Sequence, residues 1–451
     1  MQTILRDIPT HLVALVEVLR ARLRDPLFLD RHRVRAQDFT RDRQLTFPVL
    51  MLFVLQKTVK SIQRHLHDFL GDLSLGQLFA APTAGAVTLA RAKLKETAFT
   101  ELNRECLLPA AYGPGAPVQR WREHRLLGLD SSLIRLPKHE ELGATYGWKY
   151  ASNQHGDTGT RYPEARLSVL YDLLNRYGHD VQLEPSTTGE VAMAIGQLSR
   201  LQPGDVAVTD RGYTGYVYLA QVLQHRAHCI ARCSSGSFAC AQEMFRLNRA
   251  NRSKEVWLYA PTSDRAECQK LGLPLKIRVR FVSVRLPTGE LEVLATSLLD
   301  QVLYPTEEFL TVYHWRWGHE TFHLMLKGRL ELENFSGHTL EAVKQDVQAA
   351  VFLTNLESLL IQPAQDALDE RKTKEVQPLQ VNHSISYHTI KAQVLDLLYR
   401  DIPAPEVLAQ MIVLFQASPV AIRPDRKAPR RNKPSFHRSY HFQRRVKKTV
   451  F

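Results

Sequence analysis

The chain has 451 residues, 44% of them hydrophobic, which supplies apolar mass for two or three cored domains and excludes a disordered chain. Its formal net charge is +13, and the stretch from Arg423 to the end, with eleven Lys or Arg against one Asp, leaves 13 − 10 = +3 for the other 422 residues. That balance points to a polyanionic partner, nucleic acid first, with a solubilising tail or one that binds anionic membrane as the bland alternatives. No apolar run approaches the ~18 residues that cross a bilayer. The N-terminus lacks the layout of a secretion signal, and the five cysteines form no disulfide framework. These features predict a soluble cytoplasmic protein.

In chain order, residues 1–108 read as helical. Apolar residues recur at helical spacing over Leu12–Leu23 and Thr46–Phe69, with Pro48 acceptable in a first turn. A shorter helix is expected at Ser74–Phe79 and another at Val87–Cys106, and a pair across the Pro82–Gly85 break with Arg91, Lys93 and Lys95 nearby suggests a DNA-binding helix-turn-helix. Pro109–Gln119 is a linker. Arg125–Arg135 is an apolar strand containing Asp130, Trp148–Tyr162 a polar loop, and Ala165–Asn175 with His179–Leu183 a hairpin turned by Arg176-Tyr177-Gly178. A helix follows at Thr188–Leu201, then a short buried strand, Asp205–Thr209, that ends at Asp210, a helix at Gly215–Leu223 and a strand at His228–Arg232. Residues 238–300 turn mostly β. Thr306–Gly328 reads as one helix, Arg329–Phe335 as a strand and Ala342–Ile361 as a helix. Residues 363–385 read as a loop, and 386–417 as helical.

At ~100° per residue, Tyr313, Arg316, Glu320 and Lys327 fall on one polar stripe of the Thr306–Gly328 helix, opposite Trp315, Phe322 and Leu326. His319 and His323 lie off that stripe and read as core or solvated histidines. A carboxylate flanked by a phenol, a guanidinium and an ammonium suits a phosphodiester held beside a metal ion. Asp130 sits among apolar strand residues, where a buried carboxylate is costly without a compensating charge. Asp210 ends a strand at the edge where α/β sheets place their sites. Taken singly, each aspartate reads as a turn former or helix cap, and Glu320 as a surface charge. In this order, strand Asp, strand-end Asp and helix Glu can converge to hold two divalent cations.

Tyr313-x2-Arg316-x3-Glu320-x6-Lys327 resembles, without departure, the Y-R-E-K signature of the DDE transposases of the insertion sequence four family. Asp210-Arg211-Gly212-Tyr213 is similar to that family's second-aspartate motif, and Asp130-Ser131-Ser132 resembles its first. The resemblance covers about 125–345 well and the N-terminal region loosely. It implies an α/β fold: a ribonuclease H-like catalytic core (120–345) interrupted by a mostly β insertion (about 238–300). An N-terminal helical DNA-binding domain (1–108) and a linker (109–119) would precede the core; a C-terminal helical region (346–422) and a basic tail (423–451) would follow it.

The resemblance further implies a transposase that binds terminal inverted repeats, cuts double-stranded DNA and joins the freed 3′-hydroxyls to target DNA. Asp130, Asp210 and Glu320 would be the catalytic residues and ligands of Mg2+, with Mn2+ as a substitute. Tyr313, Arg316 and Lys327 would contact phosphates of the transposon end, and Arg211 and Tyr213 would lie close to metal and DNA. A homodimer in the synaptic complex and a nucleoid-associated location are further expectations, with no membrane partner. Trp257 is the only tryptophan of the β insertion, and no base-stacking role is carried over to it. A catalytically inactive or domesticated DNA-binding derivative and a same-fold nuclease without strand transfer are the rival readings.

Overall fold

The computed structural model describes residues 8–41, 43–58, 60–75, 81–153, 156–371 and 377–422. The basic tail and most of the expected Ser74–Phe79 helix lie outside them. Two compact units form: Met1–Val118 with Ile134–Ala165 and Met325–Phe451, and Gln119–Leu133 with Arg166–Leu324.

The first unit is mainly helical. Thr10–Arg24 buries Leu12, Leu15, Val16, Leu19 and Leu23, the three- and four-residue spacing that predicted it. The expected Thr46–Phe69 helix is two, Phe47–Leu55 and Ile62–Leu73, because the Ser61 hydroxyl accepts the Arg64 amide at 3.3 Å and starts a new helix. Val87–Cys106 is likewise divided: Ala84–Arg91 ends where the Lys93 and Leu94 amides turn back to Ala90 and Arg91, and Thr97–Glu101 runs into a wider-turn segment, Leu102–Leu107. Arg91 is not a DNA-facing cation. Its buried guanidinium donates to the Asp346 carboxylate at 2.8 Å, the Ala342 carbonyl at 2.7 Å and the Gln345 amide oxygen at 2.7 Å. That network anchors the buried helix Leu340–Leu360.

Three further expectations are corrected in this unit. Trp148–Asn153 (β2) forms a ribbon with the first half of the long strand Gly156–Asp172 (β3), with Tyr150 opposite Arg161, where a loop was expected. The guanidinium of Arg161 covers the Trp148 ring at 4.1 Å, a cross-strand contact that a polar sequence does not advertise. Arg329–Phe335 is a set of turns rather than a strand, with Glu331 at φ 47°. The expected 363–385 loop contains the helix Gln362–Arg371, which buries only Ala364 and Leu368, one turn apart.

The second unit is α/β, with a mixed sheet. Its strands are Leu126–Arg135 (β1), the second half of β3, Gly178–Pro185 (β4), Val206–Thr209 (β5), His228–Arg232 (β6), Arg252–Tyr259 (β7), Lys276–Arg285 (β8) and Leu291–Thr296 (β9). The order is β3-β1-β5-β6-β9-β8-β7, with β4 on β3. β1, β5 and β6 are parallel, in register Leu129↔Thr209↔Ala231, and β9, β8 and β7 continue the sheet antiparallel. The β-rich segment therefore extends the central sheet, and it also holds the helices Ala239–Leu247 and Arg265–Lys270. Tyr216–Gln224 packs Tyr218, Leu219 and Val222 into a core shared with Leu127, Ala207, Cys229 and Phe281. Among the described residues no helix is long and apolar enough to cross a membrane.

Candidate active site

Asp130 and Asp210 each follow a residue of the aligned pair Leu129↔Thr209 on adjacent parallel strands. Neighbouring strands lie ~4.8 Å apart, so the two carboxylates come side by side at one sheet edge. The next strand adds Arg232, which follows Ala231 in the same row. The edge thus presents two acids and a guanidinium on three neighbouring strands, where open α/β sheets place their ligands.

Asp130 is the more enclosed of the two acids. Burial pushes its carboxyl up to about 6. The Ser131 amide, donating to Oδ1 at 2.8 Å, and the charge of Arg316 counter that effect, while Glu190 and Asp210 reinforce it. The Ser131 hydroxyl donates to Glu190 at 2.9 Å, and Arg166 donates to both the Ser131 hydroxyl and Glu190. This brace holds the strand segment that carries Asp130.

Asp210 is half open, its side chain 42% exposed. It accepts a hydrogen bond from the Tyr313 hydroxyl at 3.2 Å and lies 3.9 Å from Arg232. Arg232 is held in turn by the buried Glu292 at 2.7 Å. Burial raises the Glu292 carboxyl, with Arg232 opposing, and one of its oxygens has no hydrogen-bond partner. Arg211, exposed, pairs with Glu290 at 3.3 Å. Tyr213 does not face solvent: it is packed in the core against Tyr218, ring centroids 5.8 Å apart. Its phenol is a wall of the site.

The Thr306–Gly328 stretch is two helices, Glu308–His314 and Trp317–Gly328, rather than one. Between them the amides of Arg316, Gly318 and His319 bond to carbonyls three residues back, at 2.9–3.1 Å. This tightening, with Gly318 a poor helix former, brings residues three apart into line. Tyr313 and Arg316 therefore share a face, the guanidinium 5.5 Å from the phenol ring centroid. Both side chains are buried, on carboxylates: Tyr313 on Asp210, Arg316 on Glu320 at 2.9 Å.

Position 128 sets how closely the Glu320 helix approaches β1. A Cβ on Gly128 would meet Leu173 at 2.8 Å and His319 at 3.0 Å, so a larger residue there would have to displace both side chains. The Nε2–H of His319 donates to the Val169 carbonyl at 2.8 Å, and burial lowers its pKa to about 4, keeping it neutral. His323 is also buried, its ring 4.8 Å from that of His319. Both are core histidines. Phe322 and Leu326 are buried on the apolar face, as the periodicity predicts. Lys327 lies further along the same helix, among residues grouped with the helical unit.

Asp130 and Asp210 are thus brought together on adjacent strands, and Glu320 is paired with Arg316. Among the described residues, no group of three or more His, Cys, Asp or Glu side chains is arranged to hold a metal ion. Arg316 nevertheless feels Asp210 and Glu320 and is felt by Asp130, so one guanidinium lies within electrostatic range of all three acids. Two carboxylates one strand apart, the buried one destabilised as an anion, form a hard-oxygen pair that suits a divalent cation. Sequence reasoning missed Glu190, Arg166, Arg232 and Glu292. The strand-end rule that found Asp210 also finds Arg232; the other three carry no local signal.

A family model describing the transposase DDE domain matches residues 121–356. Comparison with curated proteins found no match. Among solved structures, the chain is similar to a cryo-EM structure of the piggyBac transposase synaptic complex with hairpin DNA, at 10% identity and TM-score 0.43, over 89% of this chain and 85% of that one.

Proposed function

For this chain, which belongs to the transposase DDE domain family, we propose the activity of a DNA transposase of the insertion sequence four type. In this reading the second unit is the core of a ribonuclease H-like catalytic domain. The protein binds terminal inverted repeats in double-stranded DNA, cleaves at the transposon ends and transfers the 3′-hydroxyls to target DNA. The observation that carries the reading is the row of Asp130, Asp210 and Arg232 on three adjacent parallel strands, with Arg316 within range of both aspartates.

Asp130 and Asp210 would hold Mg2+ or Mn2+, with Glu320 as the third ligand once its ion pair with Arg316 opens. The metal supplies charge to activate an attacking water or 3′-hydroxyl and to stabilise the leaving oxygen. The chain's own groups do the rest. Arg316 exchanges the Glu320 carboxylate for a phosphate of the transposon end, where its planar fork can bind two oxygens. Tyr313 orients Asp210 through its hydroxyl and turns toward phosphate with it. Arg211 and Lys327 add point charges along the DNA, and Tyr213 packs behind the second aspartate. Arg166 and Glu190 hold Asp130 in place, and Glu292 aims Arg232 at the edge. The expected helical DNA-binding domain, the β segment, the C-terminal region and tail, and a homodimer at synapsis belong to the same proposal.

The test is cleavage of end-bearing duplex DNA by purified protein in Mg2+, compared with Glu320→Gln. Loss of cleavage with retained DNA binding supports the reading; equal activity of the two proteins removes Glu320 from the catalytic set. The Arg316–Glu320 pairing favours one alternative, a DNA-binding derivative without catalysis. A gel shift with no cleavage in either Mg2+ or Mn2+ would select it.

A further inference from the structure

The helical unit contains a cavity of about 380 Å3, lined among others by Lys57, Arg329, Glu331, Tyr387, His388 and Lys391. Its volume is at the low end of ligand-binding pockets, about 300–1,000 Å3. Three of these six side chains are Lys or Arg and one is a carboxylate.

The two lysines share the negative charge of Asp346 and Glu331. The ammonium of Lys57, its side chain only 11% exposed, lies 3.5 and 3.3 Å from the Glu331 and Leu332 carbonyls and 3.8 Å from Asp346. Asp346 is already taken by Arg91 at 2.8 Å, so a single carboxylate serves two buried cations. Lys391 donates to the Lys57 carbonyl at 2.9 Å, its one hydrogen-bond acceptor among the described residues. Burial, reinforced by the charge of Lys57 and opposed by Glu331 and Asp346, lowers its pKa to about 8. At the mouth the exposed Arg329 donates to the Ser384 hydroxyl. A largely enclosed ammonium that makes a single protein hydrogen bond, as Lys391 does among the described residues, is costly to keep charged, and the cost falls when an anion with several oxygens enters.

We propose that this cavity is a phosphate-binding site that receives a backbone phosphodiester of duplex DNA. Lys391 and Lys57 form its floor and Arg329 its rim, so the phosphate meets charge at depth and a guanidinium fork at the surface. The assignment of DNA as the phosphate's source rests on the transposase reading.

The experiment measures binding of a labelled duplex of mixed sequence to the full chain, without divalent metal, across a salt series. Lys391→Met and Arg329→Gln are expected to weaken binding about three- to tenfold each and to lower the salt slope by about 1. Lys391→Arg is expected to stay near the parent. In parallel, inorganic phosphate should raise the melting temperature of the parent and leave that of Lys391→Met unmoved. Unchanged duplex affinity and slope in both neutral variants overturns the proposal. Phosphate stabilisation without any effect on the duplex also overturns it, because the ligand is then a free anion. Arg329 is exposed, so its variant reports even if Lys391→Met folds poorly. Failure of Mg2+-dependent cleavage would leave these binding results standing, so this proposal and the catalytic reading fail separately.

Discussion

Arg316 and Glu320 form an ion pair of 2.9 Å across one helical turn, with the guanidinium 5% and the carboxylate 41% exposed. The buried partner of this pair is the one that also senses Asp210 and Asp130. Arg316 is therefore a charge shared among three acids, and in the proposed function a DNA phosphate would compete with Glu320 for it. Removing Arg316 tests this directly: Arg316→Gln should lower single-turnover DNA cleavage by about 100-fold or more, the scale for loss of one preorganised electrostatic donor. Arg316→Lys should recover only part of that loss, since an ammonium lacks the fork. Parent-like cleavage by Arg316→Gln would remove it from the site.

The raised carboxyl of Asp130 makes stability depend on pH. Its value moves from the ordinary 3.8 up to about 6 on folding. A carboxyl raised in the folded state contributes stability that is fully present below about pH 4 and is lost as pH rises to about 6. Measured by urea unfolding in EDTA, the stability of the parent minus that of Asp130→Asn should fall by at most about 3 kcal/mol between about pH 4 and 6, then level off. A flat difference contradicts the burial of this group.

Divalent metal should reverse that trend. In the proposed site a cation would compete with the proton for Asp130, so the rise in melting temperature on adding Mg2+ should be larger at pH 7 than at pH 5. Asp130→Asn and Asp210→Asn should each lose most of it. An equal rise at both pH values would place the metal elsewhere.

Among the described residues the Tyr313 hydroxyl makes one hydrogen bond, to Asp210. Tyr313→Phe removes that bond alone and should cost about 1 kcal/mol of stability, as read from the denaturation midpoint. A drop well beyond that size would mean that the ring itself has moved.

In the helical unit, Arg91→Met leaves Asp346 buried with Lys57 as its remaining charged partner. Loss of one partner of a buried pair costs about 3–5 kcal/mol, so the melting temperature should fall sharply. DNA binding by the folded fraction should persist, which separates a packing role from a DNA-contact role.

The candidate site was legible in the sequence where chemistry is local. Apolar runs ending in a charged residue mark Leu126–Arg135, Val206–Thr209 and His228–Arg232, and the first two lead straight to Asp130 and Asp210. The Tyr313–Glu320 stretch was legible as helical, but its break was not, because apolar periodicity continues across Trp315 and Arg316. Glu190 and Glu292 were invisible because their partners, Arg166 and Arg232, come from other elements of the chain. The Trp148–Asn153 ribbon was hidden by polar residues on both faces, which remove the alternation that reveals a strand.

The placement of β9 bears on how the protein is made. Ile230 pairs with Thr296, 296 − 230 = 66 residues later in the chain. During synthesis β6 therefore emerges with an open edge, and it stays open until the β7–β8–β9 antiparallel ribbon is complete. Such an edge is a template for wrong pairing. Closing a long loop late also makes this step slow. A chain truncated before Thr296 should aggregate rather than yield a smaller domain, so residues 238–300 are better regarded as the folding seal of the sheet than as a removable module.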